Sequence, residues 1–273
     1  MKKLQQLGIA LALGLAFGTA MADATLDKIK SRGVVNVGVV LGGAPYGQID
    51  PKTQQPVGFN IDFSKLLAQR LGVKLEAVTV TPANRVQFLQ TGKVDLLIAN
   101  MQWTQERSEI LSFVPTQYDE SGGAAIAHKG SGIRKWEDLR GKQVCASQGS
   151  NFIKPLIEEY GAQIKALPSM PEALLALKGG ACVASVHIST GIHTLLEEEP
   201  AWKDYEAPIA SELIPSPGVI WVRKGEADTQ AALDKIVKEL HGSGVLIETM
   251  KKNRLAVPQA VVKLQEKFKT AAK

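Results

Sequence analysis

The chain has 273 residues, 45% of them apolar, and a net charge of +5 that is spread along its length without forming a basic block. With aromatic residues at 5%, it offers neither the positive patch nor the stacking platform of a nucleic-acid-binding protein. Two cysteines without a CxxC pair and four scattered histidines give no metal-ligand spacing.

Residues 1–22 read as a targeting segment. Lys2 and Lys3 give a positive start, Leu7 to Phe17 an apolar run, and Ala20-Met21-Ala22 an A-x-A cleavage site. The run is shorter than the ~20 residues a membrane span needs, and no cysteine near the cleavage site suits a lipid anchor. The expected product begins at Asp23, is exported to the periplasm and is soluble.

Val34 to Val40 is a β-branched strand that empties into the glycine-rich loop Leu41-Gly42-Gly43-Ala44-Pro45-Tyr46. Asp50-Pro51-Lys52-Thr53 marks a turn, and Pro56-Val57-Gly58-Phe59 closes a hairpin. Phe63, Leu66, Leu67 and Leu71 repeat with helical spacing until Gly72 stops them. Lys74 to Val80 alternates as a strand, and Asn84 to Thr91 is a short helix ended by Gly92. The apolar run from Val94 then turns polar at Asn100 and Gln102 and reaches Thr104 as an N-cap, with Arg107 three residues on. A parallel strand that runs into a helix start is where open α/β sheets bind ligands. An arginine on that first turn can offer its planar fork to a carboxylate.

A second α/β unit follows. Ala124 to His128 is a strand, Trp136 to Leu139 a helical turn and Gln143 to Ser147 a strand. Gln148-Gly149-Ser150-Asn151 leads into a helix whose Pro155 is tolerable only in the first turn. Ile164 to Leu167 is a strand, Pro171 to Leu177 a helix stopped by Gly179-Gly180, and Cys182 to His187 another strand. After Pro215-Ser216-Pro217-Gly218 come the strand Val219 to Arg223, helices over Thr229 to Leu240 and Val245 to Lys251, and a last amphipathic helix from Pro258. The order predicts an α/β protein of two lobes, one built from 23–119 and 216–273 and the other from 120–215. Two crossings between them form a hinge with a cleft. Cys145 and Cys182 each fall in or beside a strand, as a disulfide or as two buried thiols.

At this point the chain resembles the periplasmic amino-acid-binding proteins of ABC importers, solute-binding family 3. The matching stretches are Leu26 to Gly33, Val57 to Asp62, Ala83-Asn84-Arg85-Val86, Gly92-Lys93-Val94-Asp95, Thr104-Gln105-Glu106-Arg107, Lys129 to Ile133 with Glu137 to Lys142, and Gln148-Gly149-Ser150. They lie in the family's order over nearly the whole mature chain. The resemblance implies a two-lobed, hinged clamp with its ligand in the cleft, working as a monomer with a membrane permease and without a cofactor. It implies that Arg107 of the T-x-E-R motif holds a ligand carboxylate, that Asn100 and Gln102 add polar contacts, and that Ser150 with Asn151 meets the same carboxylate from the other lobe.

Two departures stand out. Where the family usually has an aspartate for the ligand ammonium, this chain has His187, and where an aromatic often covers the ligand it has Gly43, with Tyr46 as a substitute. Arg85 reads either as a cleft residue or as a surface ion-pair partner, Trp103 as core or as a cleft aromatic, and Ser150 as a helix cap as well as a ligand contact. The expected function is a periplasmic receptor that captures a small polar amino acid by its carboxylate, closes and delivers it to the permease, with no catalytic residue and no metal. The rival readings are a receptor for an amine-free organic acid, or an enzyme resembling cyclohexadienyl dehydratase with His187 as a general base. No G-x-S-x-G, H-E-x-x-H, P-loop or dinucleotide fingerprint supports the enzyme.

Overall fold

The computed structural model of the chain describes residues 24–269, so the targeting segment and its cleavage site lie outside the described residues. Two separate sheets carry the architecture. In the first, strands Lys74–Val80, Val34–Val40 and Leu96–Leu97 run parallel, and Trp221–Arg223 lies antiparallel between Leu96–Leu97 and Leu111–Phe113. In the second, Gln163–Leu167, Gln143–Ser147 and Ala184–Ile188 are parallel, and Asp119–His128 joins them antiparallel. Tyr205–Glu206 and Leu213–Gly218 both pair with Asp119–His128.

Each sheet is covered on both faces, as parallel strands require. On one face of the first sheet, helices Phe59–Leu71, Ala227–Gly242 and Val245–Lys252 bury Phe63, Leu67, Leu233, Val237 and Met250 against Val35, Val37 and Leu96. The other face packs Leu89 and Trp221 with Leu97 and Met101. The second sheet buries Val144, Val186 and Leu156 on one side and Ile126, Leu174 and Ile192 on the other. The Gly92-Lys93-Val94-Asp95 stretch earns its place structurally. Buried Asp95 accepts the Asn36 N–H at 2.7 Å and pairs with Arg32, locking the first helix to the sheet.

Several details depart from the sequence reading. The helix Ser189–Glu198 follows the strand Ala184–Ile188 with no loop between, so no turn residue announced it. The strand Asp119–His128 begins five residues before Ala124, because Asp119, Glu120 and Ser121 pair with Gly218, Pro217 and Ser216. The Pro215–Pro217 stretch, which the sequence reading places outside any element, is therefore strand. Its register shifts between Leu213 and Ser216, and Pro215 sits in that irregularity, where a missing N–H costs no ladder bond. The helix after Gln148-Gly149-Ser150-Asn151 starts only at Ile153, with Pro155 in its first turn as expected. Cys145 and Cys182 are joined in a disulfide, with Cα atoms 5.7 Å apart. No helix among the described residues is long and apolar enough to cross a membrane.

Candidate functional site

A cavity of about 90 Å³ lies between the carboxyl ends of both sheets, lined by residues of each. From the first sheet come the Gly42–Ala44 loop, Tyr46, Arg85, Asn100 and Gln102; from the second come Ser150, Asn151, Phe152, His187 and Ile188. Seven of the nine residues singled out from sequence thus meet in one place. Arg107 and Trp103 do not line this cavity. They line an adjoining groove of about 550 Å³ that shares Ser150 and Asn151 with it.

Local sequence explains each placement. The Thr81 N–H donates to Asn84 Oδ1 at 2.8 Å and the Arg85 N–H to the Thr81 carbonyl at 3.0 Å. This turn makes Arg85 the first residue of the helix Arg85–Gln90 and aims it across the strand ends. Arg85 is 4% exposed and donates to the carbonyls of Ala99 (2.6 Å), Asn100 (3.2 Å) and Gly149 (3.4 Å). No carboxylate among the described residues is recorded as its partner. Burial first, and then the neighbouring Arg107 charge, push its pKa well down. Leaving a buried guanidinium without an anion is costly, so the position favours a negatively charged guest.

Thr104 caps the helix Gln105–Ile110 as its sequence announced, accepting the Arg107 N–H at 3.2 Å. The Arg107 guanidinium donates to the carbonyls of Gln102 (2.6 Å) and Gly149 (2.9 Å), and burial lowers its pKa to about 10. Arg85 and Arg107 therefore converge on one carbonyl of the opposite lobe. Beside them Lys154 and Glu106 form an ion pair at 3.0 Å between exposed side chains. Trp103 packs edge-on against Phe113, with centroids 6.1 Å apart.

The polar groups around the cavity are unevenly satisfied. Gln102 gives its amide hydrogens to the Ser121 carbonyl and hydroxyl, and its Oε1 has no partner among the described residues. Asn151 Nδ2 is likewise unpartnered. Asn100, at φ +51°, accepts the Asn60 amide at 2.7 Å. Ser150 Oγ accepts the Phe152 N–H at 3.3 Å. Tyr46 rides on an aromatic stack of Phe59, Phe63 and Tyr118 and donates its hydroxyl to Asp119 at 2.8 Å. Burial raises the Asp119 carboxyl to about 6. His187 shares a strand face with Ser185, whose hydroxyl lies 2.7 Å from Nε2, and burial holds the imidazole at about 3. Sequence reading missed Ile188, Met170 and Gly191 in the wall; the rule that ligands gather at carboxyl strand ends marks Ile188, but the unannounced helix hid Gly191.

Comparison with known proteins bears on the family and the fold. Residues 35–254 match the model of the bacterial extracellular solute-binding proteins, family 3. The ABC transporter glutamine-binding protein GlnH of Bacillus subtilis is 28% identical over 233 residues, 84% of each chain. The arginine-bound form of a truncated ArgBP from T. maritima superposes with a TM-score of 0.72 at 30% identity, covering 78% of this chain and 99% of that one. The solute receptor for L-cysteine of Neisseria gonorrhoeae reaches 0.78 at 26% identity, over 84% and 92%.

Proposed function

The chain belongs to the bacterial extracellular solute-binding proteins of family 3, and on that premise we propose that it is a periplasmic receptor that captures an amino acid by its carboxylate and hands it to an ABC permease. The observation that carries this reading is Arg85, a buried cation at the cavity wall with carbonyls but no recorded carboxylate for partners. A ligand carboxylate supplies the missing charge, with the unpartnered Asn151 amide as a second donor. Arg107 joins through the Gly149 carbonyl that both arginines share, so the anion draws the two lobes onto one point.

The relatives support the cargo class, being proteins that bind glutamine, arginine and L-cysteine. His187 supports a receptor over an enzyme. A base with a pKa of about 3, oriented by a hydroxyl and not by a carboxylate, removes few protons at neutral pH.

Isothermal titration of the exported protein with a panel of L-amino acids tests the proposal. One-to-one binding without turnover is expected, weakened at least a hundredfold in Arg85→Ala and at least tenfold in Arg107→Ala, because truncating one side of a buried charge-assisted contact costs about 2–5 kcal/mol. Binding by Arg85→Ala within twofold of the parent would remove the anchor from the scheme.

A further inference from the structure

The cavity is too small for a whole amino acid of ordinary size. It encloses about 90 Å³, whereas an apolar cavity of ~150 Å³ is what admits a benzene ring. A carboxylate, Cα and amino group fit a space of that size, and a larger side chain extends beyond it. Room for it adjoins the cavity. A trough of about 390 Å³ shares Gly42, Gly43, Ala44, Met170 and Gly191 with the cavity. Of these five only Met170 has a side chain long enough to stand between the two spaces, and a Cβ added at Gly43 would meet nothing within 4 Å.

The trough's character is apolar. Leu174, Leu195 and Trp202 line it, and Leu175 lies 70% exposed along it. Its charged residues are already engaged or remote from the gap: Lys178 Nζ sits 4.1 Å from the Trp202 ring centroid, and Glu198 pairs with Arg254 at 2.6 Å. Glu198 and Glu199 are exposed, where water screens their pull on a cation.

The cavity itself has no Asp or Glu in its wall. Two residues of its wall, Gln102 and His187, carry acceptor atoms of the kind an amino group requires. Gln102, 2% exposed, has an unpartnered Oε1 because its nitrogen is held by Ser121. The Ser185 hydroxyl donates to the Cys145 carbonyl at 3.2 Å and so receives the His187 Nε2–H, which leaves Nδ1 to accept.

We propose that the site selects amino acids with an uncharged, apolar side chain, receiving the amino group on Gln102 Oε1 and His187 Nδ1 and the side chain in the trough beyond Gly43 and Gly191. This specificity rests on the amino-acid-receptor reading above and narrows it. It runs against the simplest transfer from the arginine-bound neighbour, since a guanidinium would enter an apolar trough beside a cavity whose buried charge is already positive.

Titration of the exported protein with L-leucine, L-methionine, L-phenylalanine, L-alanine, L-arginine, L-lysine and L-glutamate tests it. The apolar three are expected to bind at least tenfold more tightly than arginine, lysine or glutamate. Tightest binding of arginine, lysine or glutamate would overturn the specificity and leave the receptor reading standing; no binding by any of the seven would also overturn the specificity, and the receptor reading falls only if the full panel of L-amino acids gives no binding. Deaminated leucine, 4-methylpentanoate, should bind at least tenfold more weakly than leucine; equal affinity would overturn the acceptor pair. A Cβ at Gly191 meets only Met170, at 3.8 Å, so Gly191→Leu narrows the gap from within a helix that tolerates it. It should weaken leucine at least tenfold and alanine less than threefold, and unchanged leucine binding would overturn the trough's role.

Discussion

At the scale of single residues, two buried titratable groups set opposing acid responses. His187 is depressed to about 3 by burial, against roughly 6.5 in an unfolded chain. Between those values the unfolded state binds more protons, so the stability His187 allows is present above about pH 6.5 and is lost as pH falls toward 3. Asp119 is raised to about 6, against roughly 3.9 unfolded. Its stabilisation is present below about pH 4 and is lost as pH rises through 6. From pH 7 to pH 5 the first effect removes roughly 2 kcal/mol and the second restores a little over 1, so they nearly cancel. Relative to the parent, Asp119→Asn should lose roughly 1 kcal/mol or more over that range in urea unfolding, and His187→Gln should gain about 2. Parallel profiles for all three proteins would show that neither group titrates as its burial demands. The nature of these residues was visible in the sequence, but their protonation was not, because it depends on what the fold packs around them.

At the scale of elements, the turn at Gly149 fixes how closely the lobes meet. Its φ is +72°, and a Cβ there would lie 2.6 Å from the Pro82 carbonyl of the other lobe. Gly149→Ala therefore carries about 1–2 kcal/mol of left-handed strain, and it also obstructs the closed arrangement in which Arg85 and Arg107 reach the Gly149 carbonyl. Ligand affinity should fall at least tenfold, and the radius of gyration with saturating ligand should stay nearer its ligand-free value than in the parent. A fully compacting variant would mean that this approach is not needed for closure. Most elements were legible because periodicity and punctuation agreed, as at the Thr104 cap and the Gly72 stop. The helix Ser189–Glu198 and the strand Leu213–Gly218 were not, one for lack of a boundary residue and the other because its prolines masked an edge-strand pairing. The convergence of seven candidates on one cavity was legible in part from strand-end logic, for Asn100 and Gln102, and otherwise from the family resemblance, which supplied Ser150, Asn151, His187 and Tyr46. That Arg85 and not Arg107 lines it could not be read from either motif, since each places an arginine on a first turn and only the packing decides which one faces inward.

At the scale of the whole molecule, the disulfide Cys145–Cys182 closes a 37-residue separation, tying the strand Gln143–Ser147 to the loop that leads into the strand Ala184–Ile188. On chain entropy a closure of that length contributes about 4 kcal/mol. Dithiothreitol should lower the melting temperature of the ligand-free protein, and Cys145→Ala/Cys182→Ala should reproduce the loss without further sensitivity to reductant. The two passages between the sheets are not independent strings. Asp119, Glu120 and Ser121 pair with Gly218, Pro217 and Ser216, and Gln102 bridges to Gly218 while its amide holds Ser121. Such a ribbon resists shear and torsion through its cross-strand bonds but flexes across its width, much as a leaf spring does. Gln102, a residue of the cavity wall, bridges to Gly218 in that ribbon, so the wall of the cavity and the crossing between the sheets share one residue.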